Sequence, residues 1–218
     1  MAPAKYSSRL RAEQAAQTRQ RVLAAAAELF AADGFARTTL ARLAEAAGVS
    51  VETVQAQGSK RSLLTAAVHQ LTFGDSQEDF SSAPQARPTI EAASPEEFCE
   101  RGAHLAAGFN AQTFRLWRAF SSAAADDPNV DQELIALSTF IRGQCREIVA
   151  MLADRHWLRH DVGVDELGDS LWVLVGAENY DKITTRLGWS HQRYETWLTR
   201  SLSDLLFRRD TGTSGTRP

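Results

Sequence analysis

The tightest constraint on this chain is the spacing of helix starts and stops in "TTLARLAEAAGVSVETV", Thr38 to Val54. Thr38 or Thr39 can accept from the open amides of a short helix whose Leu40, Leu43, Ala44 and Ala47 share one face. Gly48 then offers a residue free to turn left-handed at the helix end, and Ser50 can cap a new helix at once. Two capped helices across so tight a turn form a helix-turn-helix pattern.

The same rules extend in both directions. Upstream, Val22, Leu23, Ala26, Leu29 and Phe30 fall on one stripe, and Gly34 supplies the stop. Downstream, a fourth helix begins near Ser59 and carries Leu63, Leu64, Ala67, Val68 and Leu71. Residues 74–94 are rich in Ser, Pro and acid with almost no apolar period, which predicts a loop or linker and a domain boundary nearby. "SPEEF" reopens helix: Ser94 caps, Pro95 takes the first helical position and Glu97 closes a capping box. "DDPNV", Asp126 to Val130, ends that helix and starts one with the stripe Leu134, Leu137, Ile141, Cys145, Ile148 and Leu152. Two more helices follow, about Asp165 to Leu187 and Ser190 to Phe207. No stretch alternates as a half-buried strand does, so the fold class is all-α. Residues 209–218 have nothing to bury and are expected to be disordered, as a tail, while residues 1–15 read as a flexible arm.

Composition excludes several classes of function. With 218 residues, 44% hydrophobic and 23% charged, the chain can build one sizeable core or two modest ones. Its longest apolar run, Leu171 to Ala177, is far short of the ~20 residues a membrane span needs. No export leader opens the chain, so a cytoplasmic protein without membrane contact is expected. Cys99 and Cys145 stand far apart in amphipathic segments and read as buried thiols rather than a redox pair. His156 and His160 have metal-compatible spacing, but no third ligand is evident, and neither a metal nor a cofactor is expected. The chain holds no GxSxG, GxGxxG, GKS, GKT or HExxH, so no catalytic residue is assigned. Charge is uneven: residues 1–61 hold nine Lys or Arg against five acids, the remainder fifteen against twenty-two. The basic end is the part suited to phosphate.

"TRQRVLAAAAELFAADGFARTTLARLAEAAGVSVETV", Thr18 to Val54, resembles the amino-terminal domain of the TetR family of transcriptional regulators, in its helix lengths, its Leu-Phe pair, the Gly before Thr-Thr and the Ala-Gly-Val-Ser turn. Ser59 and Lys60 followed by Leu63 and Leu64 resemble the family's entry into its fourth helix. "ENYDKITTRLGWSHQRYETWLTRSLSDLL" is similar to the carboxy-terminal end of an actinobacterial-type subgroup, with Gly188, Trp189, Tyr194 and Trp197 in familiar places. The resemblance implies a helix-turn-helix head over residues 16–61 and a larger helical ligand-binding and dimerisation domain over residues 62–208. It also implies a homodimer, double-stranded DNA as partner, and an unknown small molecule that releases a near-palindromic operator.

One stretch departs from the family. After the position of Val54, members usually carry a Tyr that contacts phosphate, two residues, and a Phe that packs the third helix onto the core. Here the run is Gln55, Ala56, Gln57, Gly58, Ser59 and Lys60, one residue shorter and without an aromatic. One deleted residue turns a helix by ~100° against the next segment. A lost buried aromatic costs ~3 kcal/mol or more unless neighbours refill its space.

The expected DNA-contacting residues are Arg37, Thr38, Thr39, Ser50, Val51, Glu52, Thr53, Gln55, Ala56, Gln57 and Lys60. Gln55 and Gln57 suit adenine edges, while Arg37, Thr39 and Lys60 resemble the family's phosphate contacts. Apolar walls with a few polar groups suit a ligand pocket, and His104, Asn110, Trp117, Phe120, Trp172, Glu178 and Asn179 are its candidate lining. The first reading is thus a ligand-responsive regulator, most simply a repressor. The alternative is a TetR-like protein that has lost specific DNA binding and acts as a small-molecule binding module or enzyme. A purely structural dimerisation partner comes third.

Overall fold

The structure, a computed structural model, describes residues 3–73 and 83–207. Helices are α1 (Pro3–Arg37), α2 (Leu40–Ala47), α3 (Val51–Gln57), α4 (Lys60–Phe73), α5 (Arg87–Ile90), α6 (Pro95–Asp126), α7 (Pro128–Asp154), α8 (Val164–Val175), α9 (Ala177–Asp181) and α10 (His191–Leu206). Among the described residues there is no strand, only an isolated bridge between Leu158 and Phe207, so the chain is all-α as read from its periodicity. Residues 74–82 of the expected linker and the expected tail lie outside the described residues.

The chain divides into two compact units. One holds Met1–Gln77 with Thr113–Ala136, the other Glu78–Gln112 with Leu137–Pro218. In the first unit α1 runs back to Pro3, so residues 3–15 of the segment expected as a flexible arm are helical, and Gly34 (φ 78, ψ 171) turns the chain at its other end. Val22, Leu23, Ala26 and Phe30 of α1 meet a buried set from Leu43, Ala44 and Ala47 of α2, Val54 of α3, and Leu63, Leu64, Ala67 and Val68 of α4. Leu71, expected on the α4 stripe, is 36% exposed. Asp127 is the single residue between α6 and α7. Its carboxylate accepts from the Asn129 amide at 3.0 Å and from Arg61 at 2.7 Å, tying the start of α4 to this joint.

In the second unit the capping box forms with a small shift. Glu97 N–H donates to Ser94 Oγ at 3.2 Å, and the Glu97 carboxylate accepts from Ala93 N–H, one residue earlier than the usual reciprocal bond. Residues 83–94 are not a bare linker. Arg155 donates to the carbonyls of Ile90 and Ala92, and Ala86, Thr89 and Ala92 are buried. Tyr194, Leu198, Leu202 and Leu206 make one buried stripe on α10, four residues apart. Arg142 and Arg146 of α7 both pair with Asp169 of α8, and these guanidinium hydrogen bonds hold that carboxyl well below its usual range. Cys99 and Cys145 are free and buried, and burial pushes both thiols up to about 12.

The helix expected from Asp165 to Leu187 is not continuous. Gly176 takes an extended conformation (φ −61, ψ 144) between α8 and α9, and Lys182–Arg186 form a π-helical turn. The carbonyls freed by the break are paired: Asn110 donates to Val175, and Asn179 donates to Val173 and Leu174. A buried carbonyl without a partner costs about 1–3 kcal/mol, so these two amides make the interruption tolerable.

Candidate nucleic-acid interface

Local rules build the helix pair as its sequence demands. Thr39, in an extended conformation, accepts from Arg42 N–H at 3.3 Å and caps α2. Gly48 (φ 63, ψ 41) ends it in the left-handed region, where a side chain would be strained. Ser50 accepts from Thr53 N–H at 3.2 Å and caps α3. Each cap of this kind contributes about 1 kcal/mol.

The backbone irregularity of this stretch falls after α3, not within it. Gly58 (φ 141, ψ 179) sits in a region essentially reserved for glycine, and a Cβ there would meet Ser62 Oγ at 2.4 Å. Ser59 then accepts from Ser62 N–H at 3.2 Å and starts α4. Because the irregularity falls at Gly58, α3 keeps its facing: Val54 is fully buried, while Glu52, Gln55 and Ala56 are exposed. An aromatic does stand near the α3–α4 joint, supplied by α1. Phe35 stacks against the buried Phe30 at 5.8 Å, and Lys60 Nζ lies 4.3 Å from the Phe35 centroid.

The expected contact residues sort into different roles. Exposed on the helix pair are Thr39, Ser50, Glu52, Gln55 and Ala56, with Val51 and Thr53 half-buried beside them. Hydrogen bonds from its own backbone N–H and from Ser50 hold the Glu52 carboxyl below its usual range. Thr38 does not belong to the surface: it is 0% exposed, and its hydroxyl bonds the Gly34 carbonyl at 2.9 Å, so it anchors the turn before α2 rather than touching phosphate. Gln57 is half-buried, and its carbonyl lies 3.5 Å from Arg19 Nη1. Arg37 Nε donates to the Asp33 carbonyl at 3.0 Å. Lys60 donates to the Ala36 carbonyl at 3.4 Å, and burial lowers its ammonium below the usual lysine range. Arg19, outside the expected set, is detectable in the sequence only as part of a basic run.

The candidate ligand residues fall in both units. Trp117 and Phe120 belong to the first unit, edge to face at 6.2 Å, with Phe120 fully buried. In the second unit Asn110 and Asn179 are occupied at the helix break, Glu178 is exposed and Trp172 half-buried. His104 is exposed and contacts Glu195 at 3.0 Å. It also borders an open cleft of about 290 Å³ beside Thr89 and Arg101, which none of the other candidates lines. The sequence gives no sign of Tyr194 as a polar group. Its fully buried hydroxyl has no hydrogen-bond partner, and burial pushes it up to about 12, with Asn110 opposing that shift. Among the described residues no group of three or more His, Cys, Asp or Glu is placed to hold a metal ion, and no helix is long and apolar enough to cross a membrane.

α2 and α3, each capped at its start and separated by the Gly48 turn, form a helix-turn-helix. Residues 22–67 match the family described as "Bacterial regulatory proteins, tetR family". No curated protein matches the chain. Among solved structures, a Saccharomonospora viridis protein assigned as a transcriptional regulator, in complex with choline, is similar at TM-score 0.70 and 18% identity, covering 89% of this chain and 100% of that one. Native NalD of Pseudomonas aeruginosa, the secondary repressor of the MexAB-OprM multidrug efflux pump, is similar at TM-score 0.58 and 19% identity, over 89% and 98% of the two chains. A protein of Rhodococcus sp. assigned as a TetR-family transcriptional regulator is similar at TM-score 0.70 and 14% identity, over 88% and 99%. Residues 22–67 thus match the tetR family in sequence, and the chain shares the fold of these regulators.

Proposed function

We propose that this chain is a ligand-responsive transcriptional regulator, a repressor that binds a near-palindromic operator as a homodimer in the cytoplasm and leaves it when a small molecule binds. The observation that carries this reading is the placement of the backbone irregularity that follows α3. It falls at Gly58, beyond the outward face of α3, so Glu52, Gln55 and Ala56 stay exposed while Val54 stays buried. Gln55 suits an adenine edge and Glu52 a cytosine amino group. The fold shared with a repressor and with a choline-bound regulator supports both halves of the proposal.

The second unit is the ligand-binding half of this reading, and it holds His104, Asn110, Trp172, Glu178 and Asn179 of the candidate lining. Release needs a coupling free energy between ligand and operator, typically ~1–3 kcal/mol. Within the first unit, the Arg61–Asp127 pair is the route by which a shift of the α6–α7 joint would reach α4 and the head.

The test is a titration of purified protein against DNA flanking its own gene, with unrelated DNA as competitor. A regulator gives binding that survives competition and footprints as a near-palindrome. Affinity for its own flanks no greater than for unrelated DNA removes the regulator reading and leaves the second unit as a binding module.

A further inference from the structure

The outward face of α3 is set by Val54, which is fully buried. At about 100° per residue, Glu52 and Ala56 point within about 20° of directly away from it, while Gln55 and Thr53 flank them on either side. Exposure follows that order: Glu52, Gln55 and Ala56 are exposed and Thr53 is half-buried. Whatever lies along this face meets a carboxylate at its centre, with only a methyl group one turn away.

That carboxylate is charged and has no offsetting cation on its helix. Hydrogen bonds from its own N–H and from Ser50 hold it below the usual range, so it is ionised at neutral pH. α3 contains no Lys or Arg, and the places three and four residues away, where a cation would offset the charge, hold Gly48, Val49, Gln55 and Ala56. The cations that follow α1's core segment are each held by acceptors within the chain: Arg37 by the Asp33 carbonyl, Arg42 by the Asp33 carboxylate, Lys60 by the Ala36 carbonyl and Arg61 by Asp127. A negative side chain at the centre of a face that approaches a polyanion lowers affinity for every duplex alike. The loss is offset only where the groove presents a donor.

An ionised carboxylate accepts hydrogen bonds and donates none. The donors of the major groove are the amino groups of cytosine and adenine. Adenine's amino group stands beside its N7 acceptor, which matches the donor and acceptor of a Gln amide and repels a carboxylate. Cytosine's amino group has no acceptor beside it on the groove edge of its own ring. We propose that Glu52 is a specificity-determining residue, which accepts a hydrogen bond from a cytosine amino group in each half-site and rejects duplexes that lack a cytosine there. The proposal rests on the DNA-binding reading of α3 and names the sequence it takes. Gln55 and Ala56 lie about 4.5 and 6 Å further along the helix axis, so an adenine edge and a thymine methyl are expected within about two base steps of that cytosine. Methylation of the cytosine at N4 leaves its pairing hydrogen and replaces the one that faces the groove, which removes the donor that Glu52 needs.

The experiment selects duplexes from a random pool with the native chain. It then titrates the selected duplex, copies with N4-methylcytosine at each fixed cytosine in turn, and an unrelated duplex. Glu52→Ala and Glu52→Gln chains go through the same steps, and thermal unfolding checks that each head stays folded; the Gln side chain keeps an acceptor for Ser50. The native chain should fix a cytosine in each half-site, and its methylation should weaken binding by roughly 5- to 150-fold, the usual span for one wrong base pair. Glu52→Ala should lose that sensitivity to within about twofold and bind the unrelated duplex more tightly than the native chain, a gain that shrinks as salt screens the charge. Glu52→Gln should shift the fixed base from cytosine toward adenine. A selected half-site without a fixed cytosine overturns the proposal and leaves the regulator reading standing. Methyl sensitivity that persists in Glu52→Ala overturns it too. So does a uniform loss on all duplexes in both variants, the mark of a residue that serves only the start of α3. A native chain that fixes no sequence at all defeats this proposal and the regulator reading together.

Discussion

Gly48 and Gly176 both mark a point where one helix stops and the next starts, yet the two breaks are built differently. At Gly48 the backbone turns left-handed, and the amides of Gly48 and Val49 close on the carbonyls of Glu45 and Ala44 within the same turn. At Gly176 the backbone is extended, a conformation open to any residue, and the loose carbonyls are taken by side chains, one of them Asn110, 65 residues away in sequence. The first break is encoded at its own position. The second is encoded elsewhere, and glycine is incidental to it.

Substitutions can break or sharpen this contrast. The largest effect is expected at Gly58, the most extreme local break. Gly58→Ala forces a Cβ against Ser62 Oγ in a glycine-only region and should cost about 2–4 kcal/mol by denaturant unfolding of the head. Adding Ser62→Ala should recover only the steric part, and full recovery would show that backbone conformation was never the cause. Next comes Asn110→Ala, which orphans the Val175 carbonyl and should destabilise the second unit by about 1–3 kcal/mol. A loss below half of that would mean the break closes into continuous helix without its partner. Gly48→Ala should cost about 1–2 kcal/mol, since its Cβ would meet nothing within 4 Å and only the left-handed conformation is penalised. The smallest effect belongs to Gly176→Ala, within about 0.5 kcal/mol, because the nearest atom is the movable Glu178 Oε2 at 3.0 Å. Equal costs at Gly48 and Gly176 would erase the distinction.

The same contrast explains what could be read in the sequence. Thr39, Gly48, Ser50, Ser94 and Pro95 act on backbone within a few residues, so the helix-turn-helix and the start of α6 were legible. The α8–α9 break was not, because Gly176 carries no positive φ and one of its stabilising amides, Asn110, lies on the distant α6. The absence of an aromatic after Val54 was legible, but the Phe35–Lys60 contact beside the α3–α4 joint was not. Phe35 and Lys60 meet across 25 positions, and no local pattern announces a cation over a ring. Thr38 and Thr39 were equivalent as candidate caps until packing buried one and left the other at the helix start. Asn110 and Asn179 show the same limit, since polar interruptions of apolar helices serve breaks and surfaces as readily as pockets.

Cys99 and Cys145 are the chain's only cysteines, and both belong to the second unit. Burial pushes both thiols up to about 12 and leaves neither sulfur at the surface. An alkylating reagent therefore finds almost no reactive sulfur until that unit opens, and head unfolding alone leaves no mark on its progress. The native sequence thus carries a clock that times the opening of one half of the molecule, and a small molecule that binds that half should slow it in proportion to its occupancy.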